Sequence, residues 1–296
     1  MPKKIIVLAG GTGDLGQKIA HALLLKGAEV RILTRSSGSS EKLASLMKAG
    51  ARVIRVDYDN QKELVKACKG AACIVSALNG LRDVIVDVQS RLLDAAVKAG
   101  VKRFIPSDYS IDFTKQPEGA NRNLDLRREF HRYLDKAPIS ATSILNGAFM
   151  ELLSGQAPLI LYKLKRVLYY GSADQVLDFT TKDDTARYTA EAALDPKTPR
   201  FLRIAGDRLS ARQLAEVVSR VKKRKFGLLR AGSLGMLSLM ITIARAFSPK
   251  KDEIFPAWQG MQYMHNMFAG LAMLDPIDNK RYPRLKWTGV EDFLLK

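Results

Sequence analysis

"VLAGGTGDLGQKIA", residues 7–20, joins a short apolar run to the start of a helical pattern through a turn rich in glycine. Gly10, Gly13 and Gly16 are spaced three residues apart, and glycines placed in this way permit a tight turn and let backbone N–H groups approach a pyrophosphate. The N-terminus of the following helix adds partial positive charge at the same place. Because the turn follows an apolar strand and opens an amphipathic helix, it predicts a dinucleotide site, with a purely structural turn as the alternative. The residues expected to contact the dinucleotide here are Gly10, Thr12, Gly13, Asp14, Leu15 and Gly16.

Short runs rich in β-branched residues recur through the first half of the chain and indicate strands buried on both faces of a parallel sheet. The predicted strands are residues 5–9, 30–33, 53–56, 74–75, 104–105 and 143–145. Amphipathic helical patterns lie between them. This alternation predicts an α/β protein with a doubly wound parallel sheet, the Rossmann fold.

The pattern changes after residue 146. The sequence then predicts a helix over 147–155, a hairpin-like stretch over 166–179, a helix over 183–194, a strand over 201–205, and helices that begin at 210, 233 and 256. Ser210 can cap the first of these last three helices. We expect residues 1–150 to form the dinucleotide-binding domain and residues 151–296 to form a smaller C-terminal α+β substrate lobe, packed on the carboxyl edge of the sheet. The Met-rich last helix can line an apolar pocket or pack within the lobe.

The charge of the chain is strongly positive, with 48 Lys and Arg against 30 Asp and Glu and a net charge of +18. Such a field concentrates anions, including phosphorylated cofactors, nucleic acid and acidic lipid. No zinc-finger, basic-zipper or aromatic RNA-binding pattern accompanies it, so the sequence gives no support for a nucleic-acid partner. The two cysteines, Cys68 and Cys73, provide neither a disulfide framework nor a metal site. We therefore expect no metal and a reducing, cytoplasmic location.

No apolar stretch reaches the roughly 18 residues that a membrane span needs. Residues 231–244 come nearest, but Ser, Thr and Gly interrupt them. They predict a buried helix, with contact with a membrane surface as the alternative.

The end of the second predicted strand discriminates between NAD and NADP. An acidic residue there would bind the ribose hydroxyls of NAD, whereas this chain has "RILTRSSG", residues 31–38, with no acid. Arg35 can pair with a 2′-phosphate and stack on adenine, and Ser36 and Ser37 can donate hydrogen bonds to the same phosphate. The sequence thus favours NADP(H), with an arginine exposed to solvent as the alternative.

Two further strand ends are expected at the cofactor. Asp57 and Tyr58 end the third strand and would lie near the adenine. The segment "SALNG", residues 76–80, ends the fourth strand and would lie near the pyrophosphate and the nicotinamide ribose. The residues predicted there are Ala77, Leu78 and Asn79.

Four segments of the chain resemble the NmrA-like branch of the atypical short-chain dehydrogenases, which is related to the isoflavone and phenylcoumaran benzylic ether reductases. They are "VLAGGTGDLG", "ILTR", "VKRFIPSDYSIDF" and "ADQVLDFTTKDDTARYTAEAALDP". The resemblance covers nearly the whole chain and is strong over residues 3–115. It implies a Rossmann fold, NADP(H) as cofactor and a small substrate lobe. The family contains reductases and also proteins that only bind the cofactor, including redox sensors with protein partners.

The resemblance also implies where the nicotinamide end lies. "FIPSDYSIDF" matches the family pattern Phe-x-Pro-Ser-(Glu/Asp)-(Phe/Tyr), which places Pro106, Ser107, Asp108 and Tyr109 towards the nicotinamide. Asn146 follows the sixth strand, where the family lines the space over the nicotinamide. Ser107 and Tyr109 are therefore candidate catalytic residues as well.

The catalytic lysine of related enzymes has no counterpart at the expected positions. The Tyr-x-x-x-Lys string "YDNQK", from residue 58, lies on the adenine side, and Tyr109 is followed four residues later by Phe113. In the isoflavone reductase group a lysine on the next helix takes the role, and alignment places Arg127 there. Arginine keeps its proton, but it can orient a substrate or polarise a carbonyl. His131, one turn further along, can supply a proton, with a solvated helix face as the alternative for both residues.

Two functions are consistent with these features. The first is an NADPH-dependent reductase of a small apolar or aromatic carbonyl or conjugated substrate, with the proton supplied by His131, Tyr109 or water. The alternative is a non-catalytic NADP(H)-binding redox sensor that passes its occupancy to a protein partner. A nucleic-acid-binding or scaffold protein that retains a decayed nucleotide fold is a third hypothesis, without a motif to support it.

Overall fold

A six-stranded parallel sheet is the centre of the first of two compact units in this computed structural model, which describes residues 3–35, 40–248 and 250–296. The unit is made of Met1–Asp108, Leu126–Ile144 and Thr185–Leu202. The strands of the sheet are β1 (Ile5–Ala9), β2 (Glu29–Thr34), β3 (Arg52–Arg55), β4 (Cys73–Ser76), β5 (Arg103–Ile105) and β6 (Ser140–Ala141). Their order is β3-β2-β1-β4-β5-β6, and all neighbours are parallel. This is the predicted doubly wound Rossmann topology.

The apolar strand sequences follow from burial on both faces of the sheet. In the central strand β1, the side chains from Ile6 to Ala9 are fully buried. Ile6 lies between Val30 of β2 and Cys73 of β4 in the register of the sheet. Because helices cover both faces of such a sheet, its inner strands read as continuous apolar runs.

Six helices follow or connect these strands along the chain. They are α1 (Asp14–Leu25), α2 (Ser40–Lys48), α3 (Gln61–Cys68), α4 (Gln89–Lys98), α5 (Arg122–Leu134) and α6 (Lys182–Leu194). A π-helical segment, Asp83–Val88, leads directly into α4. One hydrophobic core of the unit contains residues of α3, α4 and α5 together with sheet residues, and within it the ring centroids of Phe104 and Phe130 are 6.2 Å apart.

The second unit is made of Tyr109–Asp125, Leu145–Asp184 and Arg203–Lys296. The remaining strands of the chain are β7 (Ser143–Leu145), β8 (Ala148–Phe149), β9 (Ile160–Leu161), β10 (Arg166–Tyr170), β11 (Val176–Thr180), β12 (Phe201–Arg203), β13 (Asp207–Ser210) and β14 (Gly227–Gly232). The remaining helices are α7 (Ala211–Lys222), α8 (Leu234–Phe247), α9 (Ala257–Phe268) and α10 (Val290–Leu295). Two three-stranded sheets, β14-β10-β9 and β13-β11-β8, lie within this unit. The predicted division of the chain at residue 150 stays a prediction.

The stretch predicted as the sixth strand forms a strand but does not belong to the main sheet. Thr142 N–H donates to the carbonyl of Phe104 (3.0 Å), whereas Ser143 N–H donates to the carbonyl of Arg200 (2.8 Å). The chain therefore changes partner between consecutive residues, and β7 pairs with β12. The sixth position of the main sheet is taken by β6, which the sequence pattern missed because it has only two residues.

Two predictions beyond residue 146 are wrong in their local structure. The helix predicted over 147–155 is the short strand β8 followed by one 3-10 segment, Met150–Ser154, which Gly155 ends with a φ of +99°. The hairpin predicted over 166–179 does not form, because β10 pairs with β9 and β14 while β11 pairs with β8 and β13. Adjacent strands in sequence thus enter different sheets.

The helix predicted to be buried, α8, is largely exposed. Leu237 is its only fully buried residue, and four large apolar side chains are about half exposed or more: Met236, Leu239, Ile243 and Phe247. One side of α8 packs against α9, and composition alone did not reveal that the described residues leave the other side exposed. Within the described residues, no helix has both the length and the apolar character needed to cross a membrane.

The predicted cap of α7 is present and gives a test of the fold. The Ser210 hydroxyl accepts from the Gln213 N–H (3.3 Å), and the Gln213 side chain accepts from the Ser210 N–H (2.9 Å), which completes a capping box. We expect Ser210→Ala to lower the free energy of unfolding by about 1 kcal/mol, measured by urea denaturation. Ser238→Ala, at an exposed position inside α8, is the control and should leave stability unchanged or slightly higher. Equal effects would contradict the capping role of Ser210.

Candidate functional site

The turn between β1 and α1 has the close contacts that require glycine. Gly10 has a φ of +78°, and a Cβ there would lie 2.4 Å from the carbonyl oxygen of Ala77. Gly13 N–H donates to the Gly10 carbonyl (3.0 Å) and closes the turn. A Cβ on Gly16 would lie 2.1 Å from that same carbonyl oxygen. The turn therefore holds the beginning of α1 against the ends of β1 and β4, as a dinucleotide-binding turn does.

The surface of this turn is formed by the residues predicted to contact the cofactor. Gly13 is the N-cap of α1 and, like Asp14, is exposed, whereas Thr12 and Leu15 are half-buried. The Thr12 carbonyl accepts from the Gln17 side chain (3.1 Å), which fixes the loop to the first turn of the helix. Because the first N–H groups of a helix point out of its N-terminus, this surface suits an anionic group such as a pyrophosphate.

The ends of β2 and β3 carry the residues predicted near the adenine. Tyr58 is buried, and its burial raises the pKa of the phenol above its ordinary value, while the positive charge of Arg35 acts in the opposite direction. Arg35 itself is exposed. Asp57 is also exposed, and its carboxylate accepts from the Asp59 N–H (2.9 Å). The structure brings these predicted residues to one edge of the sheet, while Ser36 and Ser37 lie outside the described residues.

The loops that follow β4 and β5 are tied together by Ser107. Its hydroxyl donates to the Leu78 carbonyl (2.6 Å), and its N–H donates to the side-chain oxygen of Gln89 (2.9 Å). Gln89 is fully buried and in turn donates to the Ile85 carbonyl (3.0 Å). These bonds fix the Ala77–Asn79 and Pro106–Ser107 segments relative to each other, with only Asn79 exposed.

A buried polar network stands directly after Ser107. The Asp108 carboxylate is fully buried, and its Oδ2 accepts from the Ser143 hydroxyl (2.5 Å) and lies 2.7 Å from Nε2 of His131. On the other side of the ring, Nη2 of Arg200 lies 3.1 Å from Nδ1 of His131, and Nη1 of Arg200 donates to the Ser143 oxygen (2.6 Å). Since a guanidinium only donates, Nδ1 accepts, and the ring proton is on Nε2, where it bonds Asp108.

The electrostatics of the network keep Asp108 ionised. Burial of the carboxyl opposes ionisation, but the His131 ring, the two side-chain hydrogen bonds and the charge of Arg127 together hold the pKa of Asp108 below its usual value. The outer end of the network is Asp135, which accepts from Nη2 of Arg200 (2.9 Å). Asp108 is therefore a buried anion in a network that joins the three chain segments of the unit.

This geometry bears on two predicted catalytic residues. His131 is only 8% exposed, so the solvated helix face that was its alternative is wrong for this residue. Both of its ring nitrogens face partners inside the unit, an arrangement that favours a role in holding Asp108. Arg127 is half-buried on α5, near enough to Asp108 to lower its pKa. Catalytic roles for His131 and Arg127 stay predictions.

Two of the residues predicted near the nicotinamide, Tyr109 and Asn146, belong to the second unit. Tyr109 is buried there, 7% exposed. Asn146 is fully buried, and its backbone is fixed because its N–H donates to the Ser110 carbonyl (3.0 Å) and its carbonyl accepts from the Thr180 hydroxyl (2.7 Å). Neither Oδ1 nor Nδ2 of Asn146 has a hydrogen-bond partner among the described residues. A buried amide without partners is costly, and it fits a residue that completes its bonds with a polar ligand.

The sequence missed most of the residues that support the site. Asp108 was visible in the "PSDY" string, but its role as a buried anion was not. Gln89, Ser143 and Arg200 stand in unremarkable helical, strand and loop contexts. Their bonds to Ser107, Asp108 and His131 span 18, 35 and 69 residues of sequence. No local pattern can predict such pairings, because they arise only when the sheet brings these segments together.

A family model described as the NmrA-like family matches residues 2–294. The chain belongs to the NmrA-like family.

Named relatives of this NmrA-like chain are plant reductases. Pinoresinol reductase 1 of Arabidopsis thaliana is 30% identical over 211 residues, which cover 66% of this chain and 66% of the relative. The match thus spans just under two thirds of the relative's length. The bifunctional pinoresinol-lariciresinol reductase of Forsythia intermedia is 26% identical over 322 residues, covering 100% of this chain and 99% of the relative.

Solved structures agree with the fold of this NmrA-like chain. AtPrR2 with NADP+ and (+)-pinoresinol superposes with a TM-score of 0.84 at 23% identity, covering 100% of this chain and 99% of the other. The binary complex of leucoanthocyanidin reductase with NADPH from Vitis vinifera gives a TM-score of 0.81 at 19% identity, with 98% of both chains covered. At these identities the likeness establishes the Rossmann fold with its additional α/β unit.

Gly16 gives a direct test of the turn. We expect Gly16→Ala to lower the free energy of unfolding by about 1–3 kcal/mol, because the new methyl group must displace α1 from the Gly10 carbonyl. The control is Gly260→Ala in α9, where a Cβ has nothing within 4 Å. That control should be neutral or stabilising by up to about 1 kcal/mol in urea denaturation. A Gly16→Ala protein as stable as the control would show that the close approach is not required.

Asp108 predicts a specific dependence of stability on pH. Because its pKa in the folded protein lies below that of the unfolded chain, about 3.9, ionised Asp108 stabilises the fold above that value, and the stabilisation is lost as the pH falls through the folded pKa. Asp108→Asn should lower the free energy of unfolding at pH 7 by about 3 kcal/mol and flatten its fall as the pH drops below about 4.

The measurement is urea denaturation across this pH range. Asp135→Asn is the matched control, since it removes an exposed carboxylate that bonds Arg200 at the outer end of the same network and should cause only a small change. An Asp108→Asn protein that keeps the acid sensitivity of the wild type would contradict the assignment.

Proposed function

We propose that this chain is an NADPH-dependent reductase that acts on a small apolar or aromatic carbonyl or conjugated compound. The observation that carries the proposal is the turn at residues 10–16, where a Cβ at Gly10 or Gly16 would collide with backbone atoms. Such a turn leaves backbone N–H groups and a helix N-terminus open to a dinucleotide pyrophosphate. Membership of the NmrA-like family supports the same function.

The residues around the turn fit NADP(H). Gly13, Asp14 and Leu15 would hold the pyrophosphate at the start of α1, and exposed Arg35 would pair with the 2′-phosphate. The buried phenol of Tyr58, beside Arg35, would border the adenine. The Ala77–Asn79 segment and Ser107, which are bonded to each other, would border the ribose on the nicotinamide side. Asn146 has an unsatisfied buried amide that suits a polar cofactor group.

When bound, NADPH supplies a hydride from C4 of its nicotinamide to the substrate. The chain must then orient the accepting group and deliver a proton. Arg127 keeps its charge and would orient or polarise a carbonyl oxygen. The proton of His131 is directed at Asp108, so the contacts favour Tyr109 or water as the donor to substrate, with His131 holding the buried carboxylate in place. These roles, and the functional division at residue 150, form part of the proposal.

A reductase is better supported than a cofactor-binding sensor. The relatives named above are a pinoresinol reductase and a pinoresinol-lariciresinol reductase, and the solved structures include complexes that hold NADP+ or NADPH. No relative named here is a sensor, and the proposed partner is a small molecule. Pinoresinol, a quinone and an aromatic enone are therefore the first substrates to test.

Turnover distinguishes the two functions. The purified chain is mixed with NADPH and each compound in turn, and the absorbance of NADPH is followed together with product formation. Substrate-dependent oxidation of NADPH that yields reduced product supports the reductase. NADPH binding without turnover of any compound, together with a change in proteolysis of residues 151–296 between free and NADPH-bound protein, would favour the sensor.

Arg35 predicts the choice of cofactor. Arg35→Asp should weaken the binding of NADPH at least tenfold more than the binding of NADH, because the new carboxylate repels the 2′-phosphate that Arg35 attracts. Dissociation constants are measured by nicotinamide fluorescence. Arg52→Asp makes the same charge change at the amino end of β3, where the structure also exposes the side chain, and should leave the preference intact. If Arg35→Asp lowered the affinities for NADPH and NADH equally, the proposed role of Arg35 would be contradicted.

A further inference from the structure

α8 presents a row of large apolar side chains to solvent. Met236 is 50% exposed, Leu239 61%, Ile243 48% and Phe247 86%. At about 100° per residue, these four positions fall within about 80° of the helix circumference, so they share one face. We call these four residues the α8 stripe. Single exposed apolar residues are ordinary, but a contiguous row of them on one helix marks a surface that contacts something apolar.

The helix is well formed although the described part of the chain leaves this stripe exposed. Ser233 caps it, because the Ser233 hydroxyl accepts from the Met236 N–H (3.1 Å). The side that contains the buried Leu237 packs on α9. The stripe is therefore a second face of a capped helix, separate from the side that packs on α9.

The chain around α8 is strongly basic. Between Glu216 and Asp252 the sequence contains nine Lys and Arg and no Asp or Glu. They are Arg220, Lys222, Lys223, Arg224, Lys225, Arg230, Arg245, Lys250 and Lys251. Three of these are engaged locally: Arg220 with Glu291 (2.7 Å), Lys250 with Glu253 (2.9 Å), and Arg245 over the Trp258 ring (5.2 Å). The other six are exposed.

We propose that the α8 stripe and the exposed cations of this basic segment bind the surface of an anionic lipid membrane. An apolar helix face enters the boundary between headgroups and acyl chains, while nearby Lys and Arg bind lipid phosphates. The combination explains two features that a dinucleotide does not require, namely the exposed apolar helix and a segment that contributes nine positive charges to a net charge of +18. The binding is peripheral, since α8 lies along the surface of its own unit.

A second copy of this chain fits the stripe less well. A symmetric dimer joined through α8 would place the same surface of both copies together. Each copy would bring a net charge of +18 to that contact, and like charges repel. An anionic lipid surface offers acyl chains for the apolar stripe and attracts the positive charge of the chain.

The first test is flotation of the purified full chain with lipid vesicles. We expect it to float with vesicles that contain phosphatidylglycerol and phosphatidylcholine, to be released by high salt, and to remain unbound with phosphatidylcholine alone. Failure to bind the phosphatidylglycerol vesicles at low salt would overturn the proposal.

Variants of the stripe separate insertion from simple charge attraction. The triple variant Leu239→Ser, Ile243→Ser, Phe247→Ser should reduce partitioning onto the anionic vesicles at least tenfold, since three exposed side chains no longer enter the lipid. The control is Leu25→Ser with Met47→Ser, which removes apolar residues that are 90% and 58% exposed elsewhere and should bind as the wild type does. Equal binding by the stripe variant and the wild type would show that α8 does not insert.

The charges are tested in the same way. Lys222→Glu, Lys223→Glu, Lys225→Glu should weaken binding at least tenfold more than Lys62→Glu, Lys66→Glu, Lys69→Glu, which reverses three exposed lysines at α3. Circular dichroism confirms the fold of each variant, and light scattering gives the oligomeric state. A dimer that the stripe variant converts to a monomer, without vesicle binding by the wild type, would overturn the proposal and assign α8 to contact between copies.

Discussion

The approach of α1 to the Gly10 carbonyl is the contact on which the candidate cofactor site depends. A side chain at Gly16 would have to occupy space 2.1 Å from that oxygen, so only glycine lets the helix begin where it does. The same carbonyl accepts the N–H of Gly13, and the positive φ of Gly10 brings the chain against Ala77. One turn thus joins the ends of β1 and β4 to the N-terminus of α1. The direction of that helix, with its partial positive charge, follows from this packing rather than from helix propensity.

A second constraint lies one strand further along, where a buried anion organises the loop after β5. Asp108 has no access to water, and it stays ionised because His131, Ser143 and the charge of Arg127 compensate for lost hydration. Arg200 completes the arrangement by donating to both His131 and Ser143. Since Asp108 follows Ser107 directly, the network also fixes the segment that is bonded to Leu78. His131 and Arg127, which the sequence predicts as catalytic residues, therefore stabilise the buried carboxylate of Asp108.

Much of the first unit could be predicted from local pattern, because strands buried on both faces must be apolar and the glycine turn has a fixed geometry. β1 was predicted to the residue, and the Ser210 cap was visible in the sequence. Errors began where tertiary pairing decides the outcome. The change of partner between Thr142 and Ser143, and the entry of β10 and β11 into different sheets, have no local signature. The exposed stripe of α8 was missed for a related reason, since an apolar helix looks the same in sequence whether or not something covers it.

Hydrogen–deuterium exchange of the full chain with and without NADPH tests the central claim most directly, because it locates the cofactor as well as detecting it. If NADPH binds at the glycine turn, we expect slower exchange of backbone amides in peptides that contain residues 10–17 and 76–80. NADH at equal concentration should have smaller effects. Unchanged exchange over residues 10–17 at saturating NADPH would contradict this expectation. That result would leave the glycine turn with a purely structural role and would remove the basis for an NADPH-dependent activity.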